Sequence, residues 1–121
     1  MNCKMSVVIV GGDHLGCIPK ELDRIGISKI QHLNGRGGQK IRGKMPDKAD
    51  FIILLYDFVN HNLAYKIKKI ATNKGIPIIY AKRSWPSIYL SIQDHRQELK
   101  KAGYDIAVDI GKKYIQKNKN P

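Results

Sequence analysis

The residues in this chain that could do chemistry are histidines, one cysteine and the glycine-rich turns around them. His14 lies three residues before Cys17 in Gly11-Gly12-Asp13-His14-Leu15-Gly16-Cys17, and His32 leads into Asn34-Gly35-Arg36-Gly37-Gly38. His61 follows Val59-Asn60, and Lys82-Arg83-Ser84-Trp85 closes a fourth apolar run. Imidazoles bind transition metals and haem iron. Successive backbone amides in glycine-rich turns cradle anions. Neither common phosphate fingerprint is present: G-x-G-x-x-G would need glycine where Asp13 stands, and the Gly11 to Gly16 spacing is followed by Cys17-Ile18 instead of Lys-Ser/Thr. There is no HExxH, no paired CxxC and no G-x-S-x-G elbow. These patterns favour binding over turnover.

The elements that must position these residues follow from hydrophobic periodicity. Four apolar runs read as strands, Met5–Val10, Lys29–Leu33, Phe51–Tyr56 and Ile76–Ala81. Two are nearly continuous aliphatic runs, as expected of strands buried on both faces of a parallel sheet. Between them lie helix signals. Pro19 to Ile25 ends at Gly26. Asn60 is a good N-cap for a helix to Lys74, with Leu63, Ala64, Ile67, Ile70 and Ala71 as its apolar stripe. A short helix is expected over 39–44, ended by Pro46. After Ile88 the pattern is helical, with Ile92 on the same face and Leu99, Ala102 and Ile106 on another.

This alternation predicts a small, doubly wound, three-layer Rossmann-like α/β domain over residues 1–92. Its four parallel strands should run in the order 2-1-3-4. A basic helical extension and tail are expected over 93–121. Ligands in such a sheet bind beyond the carboxyl ends of the strands. All four of those ends carry polar, basic or glycine-rich residues, including three of the four histidines. The other edge carries plain turns at Gly26-Ile27-Ser28, 47–50 and Asn73-Lys74-Gly75. That asymmetry is the strongest functional signal in the chain.

Composition narrows the classes further. Twenty-two Lys and Arg against 10 Asp and Glu give a net charge of +12 in 121 residues, which attracts polyanions and anionic small molecules. The same excess also arises from a lysine-rich surface with no partner. No apolar run approaches the length of a membrane helix. The sequence opens without a long apolar leader, so a cytoplasmic protein with Cys3 and Cys17 as free thiols is expected. Cys17 reads as a small, partly buried thiol and His95 as solvent-facing. Asp13 and Asp57 are candidates to orient histidines or bind a cation, and Trp85 or Tyr56 to stack on a ligand. Each feature also has a reading without a ligand: glycines that permit a turn, histidines at turns and caps, a solvated basic loop.

The segments VVIVGG, IQHLNGRGG and ADFIILLYDFVNHNLAYKIKKIATNKGIPIIYAKRSWPSIYLSI together resemble a bacterial family of uncharacterised domains, domain of unknown function 2325. The resemblance covers residues 7 to 92. It rests on Gly11-Gly12, His32 with Gly35, Val59-Asn60-His61, Gly75-Ile76-Pro77 and Arg83-Ser84. It implies a Rossmann-like domain with no established reaction. Haem binding, associated with some relatives, would carry over to His32 and His61 as iron ligands. Related chains often have a cysteine just before Val59. This chain has Asp57-Phe58 there, so no thiolate ligand is implied.

The expectation is a ligand-binding or sensory domain that holds an anionic cofactor, haem or a nucleotide, at the carboxyl edge. Gly11, Gly12, His32, Gly35, Arg36, His61, Lys82, Arg83 and Ser84 are the candidate binding residues. Arg36, Lys40, Lys82 or Arg83 would meet propionates or phosphates. The alternative is nonspecific binding of nucleic acid or a protein partner through positive charge. A homodimer is compatible with either, because a domain this small gains core by pairing.

Overall fold

A computed structural model of the chain describes residues 5–34 and 48–95. Cys3, Gly35, Arg36, Lys40, Arg42, the helix expected over 39–44 and the extension beyond His95 lie outside the described residues. Strand β1 (Met5–Val10) leads to α1 (Ile18–Arg24) and β2 (Ile27–Leu33). Strand β3 (Phe51–Leu55) runs into a 3-10 turn (Tyr56–Phe58), then α2 (His61–Lys74), β4 (Ile78–Ala81) and α3 (Trp85–Asp94). The four strands form one parallel sheet in the order β2-β1-β3-β4.

The period-two alternation of the strands sorts their side chains between two cores. Val7 and Ile9 of β1, Phe51, Ile53 and Leu55 of β3, and Ile79 and Ala81 of β4 face α1 and α3. There they meet Ile18, Leu22, Trp85, Ile88, Tyr89 and Ile92. Val8, Val10, Ile52 and Leu54 face the other way, onto Leu63, Ile67, Ile70 and Ala71 of α2. Helices therefore cover both faces, the three-layer, doubly wound arrangement. Each fully buried aliphatic side chain contributes about 1.5–3 kcal/mol.

Several boundaries differ from the sequence expectation, each for a physical reason. β2 starts at Ile27, not Lys29, because Ile27 is fully buried and pairs with Met5 across a register shift in β1. β4 starts at Ile78, not Ile76. Ile76 instead completes the end of α2: with Gly75 left-handed at φ 69°, Gly75 N donates to Thr72 O and Ile76 N to Ala71 O. Pro77 has no amide hydrogen, and its carbonyl accepts from Ile52 N at 2.9 Å. β3 stops at Leu55 because Tyr56 belongs to the 3-10 turn. α3 passes residue 92 and ends at Asp94. Among the described residues no helix is long and apolar enough to cross a membrane.

Candidate functional site

The strand order reverses between β1 and β3, and the crevice at the carboxyl side of such a switch point is where open α/β sheets bind ligands. Here the turn after β1 and the turn after β3 stand at that switch point. Gly11 and Gly12 form the first of these turns, at φ 115° and 80°, a region that disfavours side chains. A Cβ on Gly11 would lie 3.0 Å from the Leu55 carbonyl oxygen, 3.1 Å from Leu55 Cβ and 3.2 Å from Val59 Cγ1. A Cβ on Gly12 would lie 3.3 Å from Arg83 Cδ. The room that glycine leaves at both positions is thus occupied by the protein's own Leu55, Val59 and Arg83. Their first role is to let three strand ends close on one another.

His32 sits on β2 opposite Ile9, half-buried, with Nε2 3.0 Å from the Gly11 carbonyl oxygen. A carbonyl only accepts, so Nε2 bears a hydrogen, and in the neutral imidazole Nδ1 carries the lone pair. Gly11 N donates to Leu33 O at 2.8 Å. The first glycine is therefore pinned to β2 through its amide and its carbonyl.

Arg83 ties the remaining ends together. Its Nε donates to the His14 carbonyl oxygen at 2.6 Å, so the turn after β4 holds the turn after β1 across the intervening β3. Its guanidinium carbon lies 5.6 Å from the centre of the Phe58 ring. Its backbone N donates to both Asp57 oxygens, at 3.1 and 3.3 Å. Asp57 is thus occupied with the Arg83 backbone. Sequence reading does not single out Phe58, although an aromatic beside an acid in a strand-end turn, half exposed at 51%, is a usable signal.

The fourth end is built by capping. Ser84 Oγ, expected to contact ligand, accepts from Ser87 N at 3.3 Å as the N-cap of α3. Ser87 Oγ in turn accepts from Lys82 N at 2.9 Å. The exchange resembles a capping box and fixes how Lys82 and Arg83 leave the strand. Asn60 Oδ1 likewise caps α2 by accepting from Leu63 N at 2.8 Å, which places His61 at the first helical position, exposed.

Other candidates lie elsewhere than expected. Trp85 is not available for stacking. It is buried to 5% exposure against Tyr89, because the Ser84 cap puts it in phase with Ile88, Tyr89 and Ile92. Tyr56 remains 49% exposed beside the crevice. Cys17 is exposed rather than partly buried, since it precedes Ile18, the residue that turns inward at the start of α1. His95 is half-buried, not solvent-facing. Its Nδ1 donates to Ser91 O at 2.9 Å and helps to end α3. His14 is exposed on the turn after β1. Among the described residues no three His, Cys, Asp or Glu side chains gather where they could hold a metal ion, so His14, His32 and His61 do not form a metal-ion cage.

Fold and edge together define a small, all-parallel Rossmann-like α/β domain whose carboxyl edge is closed by glycines and one arginine. The chain belongs to the family described as an uncharacterized protein conserved in bacteria (DUF2325), whose model matches residues 6–95. No curated protein matches the chain, and no solved structure does.

Proposed function

We propose that this domain is a non-catalytic binding module that takes an anionic small molecule at the carboxyl edge of its sheet. The observation that carries this reading is the setting of Arg83. The arginine is held at the switch-point crevice by His14 O, Asp57 and the Phe58 ring, with only Nε engaged in a side-chain hydrogen bond among the described residues. Its Nη hydrogens form the planar fork that matches phosphate or carboxylate. Tyr56 and Phe58, both about half exposed, offer flat apolar surface next to that charge.

Two ligand chemistries fit these residues. A nucleotide would place phosphate on Arg83 and its base against an exposed ring. For haem, Arg83 would meet a propionate and the imidazole of His32 or His61 would bind the iron. For His32 the fit is chemical: metal-ligating imidazoles commonly donate one ring N–H to a backbone carbonyl, as His32 does to Gly11, and ligate through the other nitrogen.

Mass spectrometry of gently purified protein tests both at once, with haemin and ATP titrations as its complement. The expected result is a phosphate- or carboxylate-bearing ligand that is retained by the wild type and lost from Arg83→Ala. Haem would show a Soret band that shifts in His32→Ala or His61→Ala. Failure to retain any ligand, together with no saturable response to haemin or ATP, would overturn the proposal.

A further inference from the structure

A second surface lies away from the carboxyl edge. The outer face of α2 carries Tyr65, Lys66, Lys68 and Lys69, all exposed, and the helix contains no Asp or Glu. Tyr65 is 62% exposed, the highest value among the exposed large apolar and aromatic side chains of the described residues. Tyr80 of the edge strand β4 is 39% exposed, and Lys68 Nζ lies 5.8 Å from its ring centre. Lys69 Nζ lies 5.4 Å from the centre of the Tyr65 ring. Residues three and four apart on a helix are neighbours, so Tyr65 adjoins both Lys68 and Lys69. Two aromatic rings and the ammonium groups of Lys68 and Lys69 thus form one continuous patch, which Lys66 extends as the helical neighbour of Lys69 three residues on.

We infer that this patch binds single-stranded nucleic acid without sequence preference. Charge complementarity is the first support: three lysines without an acidic residue on their helix, in a chain of net charge +12. The rings are the second. Stacking a base on an aromatic side chain changes affinity by about five- to hundredfold. An exposed cation–π contact is equivalent to about two- to fivefold. Exchange therefore favours the base: it takes the ring, and the displaced ammonium moves to the adjoining phosphate. An anionic membrane is a poorer match. The apolar stripe that would enter a bilayer, Leu63, Ile67, Ile70 and Ala71, is already buried in the core.

The test is fluorescence anisotropy of a short labelled oligo-dT strand titrated with the full chain over a range of salt. Binding should weaken with salt, and the triple change Lys66→Gln, Lys68→Gln, Lys69→Gln should flatten the log–log slope by about two. Tyr65→Leu keeps apolar bulk at an exposed position and should weaken binding about fivefold or more. Circular dichroism melts of each variant exclude misfolding as the cause. Three results would each overturn the inference: no binding at low ionic strength, binding and slope untouched by the triple change, or unchanged affinity in Tyr65→Leu with duplex bound equally well. Binding to phosphatidylserine vesicles without binding to oligo-dT would overturn it too. None of these substitutions touches Arg83, so the outcome is independent of the ligand at the carboxyl edge.

Discussion

At the amino end of the sheet the chain is closed largely by local backbone bonds. Gly26 N reaches Asp23 O, Ile76 N reaches Ala71 O, and the one long-range side-chain tie there among the described residues joins neighbouring strands, Asp50 Oδ2 accepting from Ser6 N at 2.6 Å. At the carboxyl end the ties are made mainly by side chains, and one spans strands that do not touch, from Arg83 after β4 to His14 after β1. Local backbone closures form with the element they end and have no exchangeable partner. A guanidinium on a carbonyl oxygen can give up that partner to an anion. The same four strands therefore end in locally closed turns on one side and in side-chain ties between distant turns on the other.

Five substitutions would break or sharpen this contrast. Gly11→Ala should have the largest effect, about 2–4 kcal/mol, since φ 115° and contacts of 3.0–3.2 Å add backbone strain to overpacking. Gly26→Ala at the amino end of the sheet, at φ 96° with open space around it, should cost only the strain, about 1–2 kcal/mol. Equal losses in urea denaturation would mean that the close packing at Gly11 carries no energy. Asp50→Ala should follow at about 1–2 kcal/mol by removing a charged acceptor from Ser6 N, with ligand retention unchanged. Asn60→Ala should lower stability by about 1 kcal/mol through loss of the α2 cap, read as a lower thermal midpoint. Arg83→Ala should be mildest for stability, under about 1 kcal/mol, yet abolish ligand retention. A large stability loss with ligand still bound would make Arg83 a purely structural clasp.

Much of the fold is legible in the sequence. Strand positions and burial on both faces follow from local apolar patterning, and the order β2-β1-β3-β4 is one of the few topologies that right-handed crossovers allow. The asymmetry between the two edges is legible too, because composition changes at each strand end. Trp85 could have been placed inward, since it shares a helical stripe with Ile88, Tyr89 and Ile92 once Ser84 is taken as the cap.

The sequence by itself determined the strands, the helices and their buried faces, because periodicities of 2 and 3.6 residues are properties of neighbours along the chain, and it narrowed the strand order to the few topologies that right-handed crossovers allow. Only the tertiary structure decided what the candidates do there. Leu55 and Val59 fill the space beside Gly11, and His32 turns its Nε2 onto the Gly11 carbonyl. Arg83 reaches a carbonyl 69 residues away. Each depends on how closely segments distant in sequence approach once both cores are packed, and no local pattern encodes that distance.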